Sequence, residues 1–254
     1  MVPGEAIDVT FDFRSDTPPG GDPDAESRTL RRYHQRLWSK PLPSGTPLEL
    51  DVTTPYAYLH HRSDELGEFF LSSDTVVPTW SRLHRDDTRW AQVAPIIEQI
   101  PEAKRDYFKR IGYTIGGMMV FPSNQVAGAM TINQARGCHR SISDRFDLTL
   151  ECIRRHYLNE RSPLSPRLAG YPEFFRLFGD FPGYVSFFHL QDLVNEDART
   201  IKFMMPFDDF TTGPLPRTLD AYLAYRERAI EFIESRNQRI AAHVNAGPLM
   251  NPAT

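Results

Sequence analysis

The chain has 254 residues, of which 40% are hydrophobic and 24% charged, with a formal net charge of -4 and a pI near 6.1. That balance excludes a globally disordered chain and a protein that coats nucleic acid through bulk positive charge. The length suits one large domain or two small ones, with enough residues to bury a substantial core. No leader-type segment and no run of 18 apolar residues is found, so a soluble cytoplasmic protein with no membrane partner is expected. Cys138 and Cys152 lack zinc-type spacing and are expected as reduced thiols.

Ile7 to Phe13 alternates apolar and polar residues and predicts a short strand. Asp22 before Pro23 predicts a capped helix to residue 38, with Leu30, Tyr33, Leu37 and Trp38 as its buried stripe and His34 packed beside them. Pro41, Pro43 and Gly45 end it. Strands are predicted over residues 48–52, 56–60 and 68–72. If extended, the second piece puts His60 and His61 on opposite sides. Helices are expected over 80–100, kinked at Pro95, and over 102–110. Met118 to Phe121 is a continuous apolar run between turn signals and reads as a central strand.

Thr131 to Tyr157 carries Arg136, Arg140, Arg145, Arg154 and Arg155, with His139 and His156, and the carboxylates Asp144, Asp147 and Glu151. Ser141 to Asp144 reads as a capping box opening a helix over 143–158. Phe146, Leu150, Ile153 and Tyr157 form its apolar stripe, and Glu151 precedes Arg155 in the favourable order. The plain reading is an amphipathic helix with a ladder of ion pairs on its wet side. The sharper one starts at Gly137, which Arg136 and Arg140 flank just before the helix. Helix N-termini and guanidinium forks both suit phosphate or carboxylate.

This stretch and its surroundings resemble a family of bacterial proteins known only as a domain of unknown function. The blocks that carry the resemblance are DPDAESRTLRRYHQRLWSKPLPSG from Asp22, LGEFFLSSD from Leu66, IGYTIGGMMVFPSN from Ile111, TINQARG, DRFDLTLECIRRHYLNERSPL, FFRLFGDFPGYVSFFHLQDLVNED and IKFMMPFDDF. They span nearly the whole chain. The resemblance implies a soluble intracellular bacterial protein and carries over no catalytic residue.

Further along, the aromatic segments 171–178 and 184–194 read as core helices, and residues 201–205 as a strand. Asp208 and Asp209 could meet a divalent metal, but adjacent aspartates on a turn read as facing water. The last helix is predicted over 218–243, with Tyr222, Tyr225, Ala229, Phe232, Ile233 and Ile240 as its stripe. Arg236 falls on that stripe, and the Arg236 to His243 spacing is similar to the motif of metal-free HEPN ribonucleases, which pair two copies across a dimer. YLHHRS followed by FFLSSD is similar to strands lining ADP-ribosyltransferase clefts. No P-loop, GxGxxG, GxSxG or HExxH occurs.

Together these readings predict one α+β domain over residues 1–244 and a disordered tail over 245–254. A small mixed sheet would be partly covered by the helices at 23–38, 143–158 and 218–242. The functional expectation is an enzyme that binds NAD, another anionic nucleotide or nucleic acid at Asn133, Arg136, Arg140, Arg145 and Arg155. Glu151 or Asp147 would supply the carboxylate and His60 or His139 the proton carrier. The reaction would be a transfer of the defence-toxin type, with no metal. The alternatives are a ribonuclease using Arg236 and His243, or a non-enzymatic binding or assembly protein.

Overall fold

The computed structural model describes residues 6–53, 59–78, 80, 91–124, 126 and 128–245. The architecture is α+β. Its helices are α1 Pro23–Glu26, α2 Arg28–Trp38, α3 Ala94–Ile97, α4 Glu102–Gly112, α5 Ile132–Cys138, α6 Phe146–Tyr157, α7 Ser165–Leu168, α8 Pro172–Arg176, α9 Phe181–Phe187 and α10 Leu219–Asn245. Its strands are β1 Leu59–Ser63, β2 Gly67–Thr75 and β3 Met118–Pro122. No helix among the described residues is long and apolar enough to cross a membrane.

The three strands form one sheet in the order β1-β2-β3, antiparallel throughout, where a mixed sheet was expected. Leu59 faces Leu71, and Ser72 faces Phe121. Gly67 supports the β1–β2 turn with φ of 88°, a value other residues reach only with strain. All five residues of β3 are buried, yet it lies beside β2 rather than at the sheet's centre. A run buried on both faces reads as central from its composition alone, and here the second cover comes from helices.

α10 supplies much of that cover. Its predicted stripe is buried as expected, from Tyr222 to Ile240. Arg236 on this stripe has no exposed surface and donates to the carbonyls of Gly116 at 2.9 Å and Met118 at 2.7 Å. A guanidinium thus satisfies backbone acceptors at the entry to β3 that would otherwise lie unpaired in the core. The helix comes so close that a Cβ on Gly116 would sit 2.5 Å from the Ile233 carbonyl oxygen. Asn237 fixes the same contact by accepting the Gly116 N–H at 2.7 Å.

Several other segments differ from their predictions. Residues 7–13 form no strand, because no neighbouring strand pairs with them. The Asp8 N–H goes to the Tyr33 hydroxyl, and the Phe13 N–H to the Tyr113 carbonyl. Residues 48–52 and 201–205 contribute only the isolated bridges Asp51–His60 and Val194–Ile201. Residues 54–58, 81–90 and 246–254 lie outside the described residues, and with them parts of two predicted elements and most of the expected tail. The aromatic segments do form core: Phe178, Tyr184, Phe187 and Phe188 pack on one another, and Phe187 and Phe188 pack on Trp38.

Candidate functional site

The predicted capping box at Ser141–Asp144 is not where the helix begins. Ser143 and Asp144 take φ of 46° and 67°, and α6 starts at Phe146 without a side-chain cap. The capping box lies earlier, between Thr131 and Gln134, and opens α5. Gly137 therefore sits inside α5. The left-handed turn serves a different purpose, since the Asp144 N–H reaches back to the Arg136 carbonyl at 3.0 Å. Aspartate tolerates this backbone region better than most residues. The turn brings the Asp144 carboxylate to 2.7 Å from the Arg136 guanidinium.

Arg136 is 0% exposed. Its Nη1 also meets Asp74 at 2.8 Å and Asn133 at 3.4 Å. Its Nη2 donates to the Asp144 carbonyl at 2.7 Å, and its Nε to the Thr149 hydroxyl at 3.3 Å. Arg145 is equally buried and holds Asp147 through two parallel contacts, with Nε to Oδ1 at 3.1 Å. Asp147 in turn accepts the Met204 N–H at 2.9 Å. Glu151 accepts from both Arg154 and Arg155 at 2.7 Å. Arg155 also meets Asp209 and lies over the Phe210 ring. These pairs tie α5, α6 and the 204–214 segment together as the expected ladder, but Arg145, Asp147 and Glu151 are buried rather than on a wet side.

The remaining predicted residues are scattered. Arg140 is exposed, and His139 accepts the Ser141 N–H at 3.2 Å. His60 stacks on Phe70 and meets Glu68 at 3.0 Å. It pairs with Phe70 in the sheet, four residues from Asp74, so it stands roughly 13 Å along the strands from the Arg136 contact. Arg236 gives its nitrogens to carbonyls in the core, while His243 is exposed near the end of α10.

What Arg136 does mark is a carboxyl cluster. Pro23 opens α1 behind the Asp22 cap, and the next residue, Asp24, faces the end of β2. There Asp24 lies beside Asp74, with the Ser73 hydroxyl 3.4 Å from the Asp24 carboxylate. Burial and the charges of Asp74 and Asp22 push the Asp24 carboxyl well above the usual range. Burial also raises Asp74, but Arg136 pulls against it. Ionisation is thus opposed more strongly at Asp24 than at Asp74, which has the guanidinium beside it. Both side chains keep part of their surface open, 23% for Asp74.

A directional hydrogen-bond chain backs this pair. The Trp38 indole N–H donates to His34 Nδ1 at 2.8 Å. An indole nitrogen can only donate, so His34 carries its proton on Nε2. That nitrogen stands 3.0 Å from the Ser73 hydroxyl, which sits 3.4 Å from Asp24. Burial, with the charge of Arg236, lowers His34 to about 3, so it stays neutral. In this tautomer Ser73 receives a hydrogen bond from His34, and His34 is not a base that activates it. The chain instead fixes which way Ser73 points.

Asp24, Ser73 and Asp74 are absent from the sequence-derived site. Asp24 looks like part of a helix start, and Asp74 like the end of a strand, 50 positions away. The one local signal is an acid on β2 that follows a serine on the buried face.

The fold and this site describe an α+β protein with a half-open acid pair beside a buried arginine. The chain belongs to a family of unknown function, DUF6994, whose match covers residues 7–240. No curated protein and no solved structure matches it.

Proposed function

We propose that the protein is an acid–base enzyme whose working groups are Asp24 and Asp74, acting on a neutral or cationic small molecule. The observation that carries this reading is a pair of partly exposed aspartates, Asp24 and Asp74, of which only Asp74 meets a buried guanidinium among the described residues. Chemically identical groups are thereby split into an acid and a base. Asp74, whose ionised form Arg136 favours, takes a proton from a water or substrate hydroxyl. Asp24 gives one to the group that leaves or is reduced in charge. The proton then passes from Asp74 back to Asp24, which lies beside it, and the pair is restored.

The sign of the ligand follows from local charge. Among the described residues Asp74 and Asp144 meet the single cation Arg136, and Asp24 and Asp22 lie beside Asp74. Even with one proton bound, these described groups carry net negative charge, which disfavours a pyrophosphate or a nucleic-acid backbone. This weighs against the NAD-type transfer expected from the arginine-rich stretch. Arg236 is likewise poorly placed for cutting RNA, because its nitrogens already serve core carbonyls.

A thermal-shift screen of the full chain against polyols, sugars, amines and nucleotides tests the reading. A ligand from the first three groups should stabilise by more than about 1 kcal/mol at high excess. Asp24→Asn and Asp74→Asn should abolish that shift. Stabilisation by nucleotides alone, or shifts that survive both substitutions, would overturn it.

A further inference from the structure

A second polar cluster lies at the end of α2, away from the acid pair, and its charge has the opposite sign. Lys40 follows the C-terminal end of α2 and lies 4.6 Å from the Phe187 ring centre and 5.1 Å from that of Trp38. Its ammonium donates to the Phe187 carbonyl at 2.6 Å and stands 3.3 Å from His189 Nε2. Among the described residues no acceptor meets its third N–H. His243 stacks obliquely on His189 with ring centres 4.8 Å apart and opens to solvent. Arg236 lies beneath, over Trp38, with carbonyls and the Met119 sulfur as its only hydrogen-bond partners among the described residues.

The charges here do not balance. Among the described residues Lys40, Arg236 and Arg239 face one carboxylate, Asp192, which accepts from Arg239 at 2.8 Å. The C-terminal carbonyls of α9 offset part of the excess, since Phe187 and Phe188 supply acceptors to Lys40 and Arg236. Among the described residues two cations nevertheless remain in excess, in surroundings of aromatic rings that screen charge poorly. Because His189 Nε2 faces an ammonium, it accepts, and the ring's hydrogen sits on Nδ1. Lys40 and the exposed His243 flank the buried His189, so an ammonium and two imidazoles gather at one partly open face.

We infer that Lys40, His189 and His243 form a binding site for a phosphate-class oxyanion, with Arg236 supplying charge from below. A dianion matches the excess of two cations. Burial and Arg236 lower Lys40 to about 8, and burial and Lys40 lower the exposed His243 imidazole. Burial, with the charges of Lys40, Arg236, His243 and Arg239, lowers His189 to about 3. A bound anion would relieve that mutual repulsion, so binding takes up protons.

Calorimetric titration of the full chain with inorganic phosphate, against chloride at matched ionic strength, tests the inference. Saturable binding is expected, weakened at least tenfold in Lys40→Met and several-fold in His243→Gln. Binding should leave Asp24→Asn unaffected, because that group belongs to the other cluster. His243→Gln lies at an exposed position, so it keeps the test informative if Lys40→Met fails to fold. A parallel titration with phenyl phosphate separates a free ion from a phosphate ester. No saturable heat beyond chloride with either probe, or binding unchanged in His243→Gln and in Lys40→Met where it folds, would overturn the site.

Discussion

Replacing Arg136 by methionine is the perturbation that the geometry makes most quantitative. The side chain is fully buried and neutralises Asp74 and Asp144, whose own side chains are 23% and 25% exposed. Removing one partner of a buried ion pair costs about 3–5 kcal/mol, mostly from the charge left stranded. Partial exposure of both carboxylates lets water reach them, which places the expected loss near the lower end, about 3 kcal/mol. Arg136→Lys keeps the charge, but one ammonium cannot bridge Asp144, Asp74 and Thr149 together, so about 1–2 kcal/mol is expected. Adding Asp74→Asn to Arg136→Met removes a stranded charge and should recover a measurable part of the loss. Urea unfolding followed by far-UV circular dichroism measures all four proteins, with the slope checked for constancy. If Arg136→Met lies within about 1 kcal/mol of the parent, the guanidinium is not the tie described and the reasoning fails.

Asp24→Asn should flatten the pH dependence of stability. A carboxyl raised in the folded state binds its proton there while the unfolded chain has released it. Folding stability therefore falls as pH rises from the ordinary aspartate value toward the folded one, by up to about 1.4 kcal/mol per pH unit. Thermal melts of the parent and Asp24→Asn between those limits should diverge with that sign, and parallel curves would contradict it. Gly116→Ala should destabilise by about 1–3 kcal/mol, because its Cβ would strike the Ile233 carbonyl and Asn237; a melt unchanged from the parent would show that α10 can move aside. Burial raises the Cys152 thiol to about 12, while Cys138 is exposed. A thiol reagent should thus titrate one cysteine in the native protein and two after unfolding, and rapid reaction of both would contradict the burial.

Much of the fold was legible because it rests on periodicity. The stripe from Tyr222 to Ile240, the apolar run of β3 and the aromatic helices announce themselves by spacing. The order of the sheet was not legible, since a strand buried on both faces looks central wherever it lies. The strand predicted over 7–13 failed because alternation says nothing about whether a pairing partner exists. The helix start at 143 failed for a local reason: Ser143 and Asp144 make a left-handed turn that the capping pattern resembles in composition.

The site was less legible than the fold. The arginines between Arg136 and Arg155 were correctly seen as concentrated, but concentration does not reveal that Asp74, 62 positions before Arg136, comes to meet one of them. Arg145 and Asp147 are neighbours in sequence and hold each other, which the motif alone left undecided. Lys40 drew no attention, although it is one of only four lysines in the chain. Its setting depends on Phe187 and His189, nearly 150 positions away.

The protonation of the acid pair can be measured directly. Carboxyl carbon NMR of aspartate-labelled protein, titrated with pH, should show Asp24 releasing its proton well above the ordinary value of about 3.9. Asp74→Asn should draw that midpoint down, because it removes the neighbouring charge that opposes ionisation. Two carboxyls titrating independently in the ordinary range, with Asp24 indifferent to the loss of Asp74, would contradict the acid–base pair.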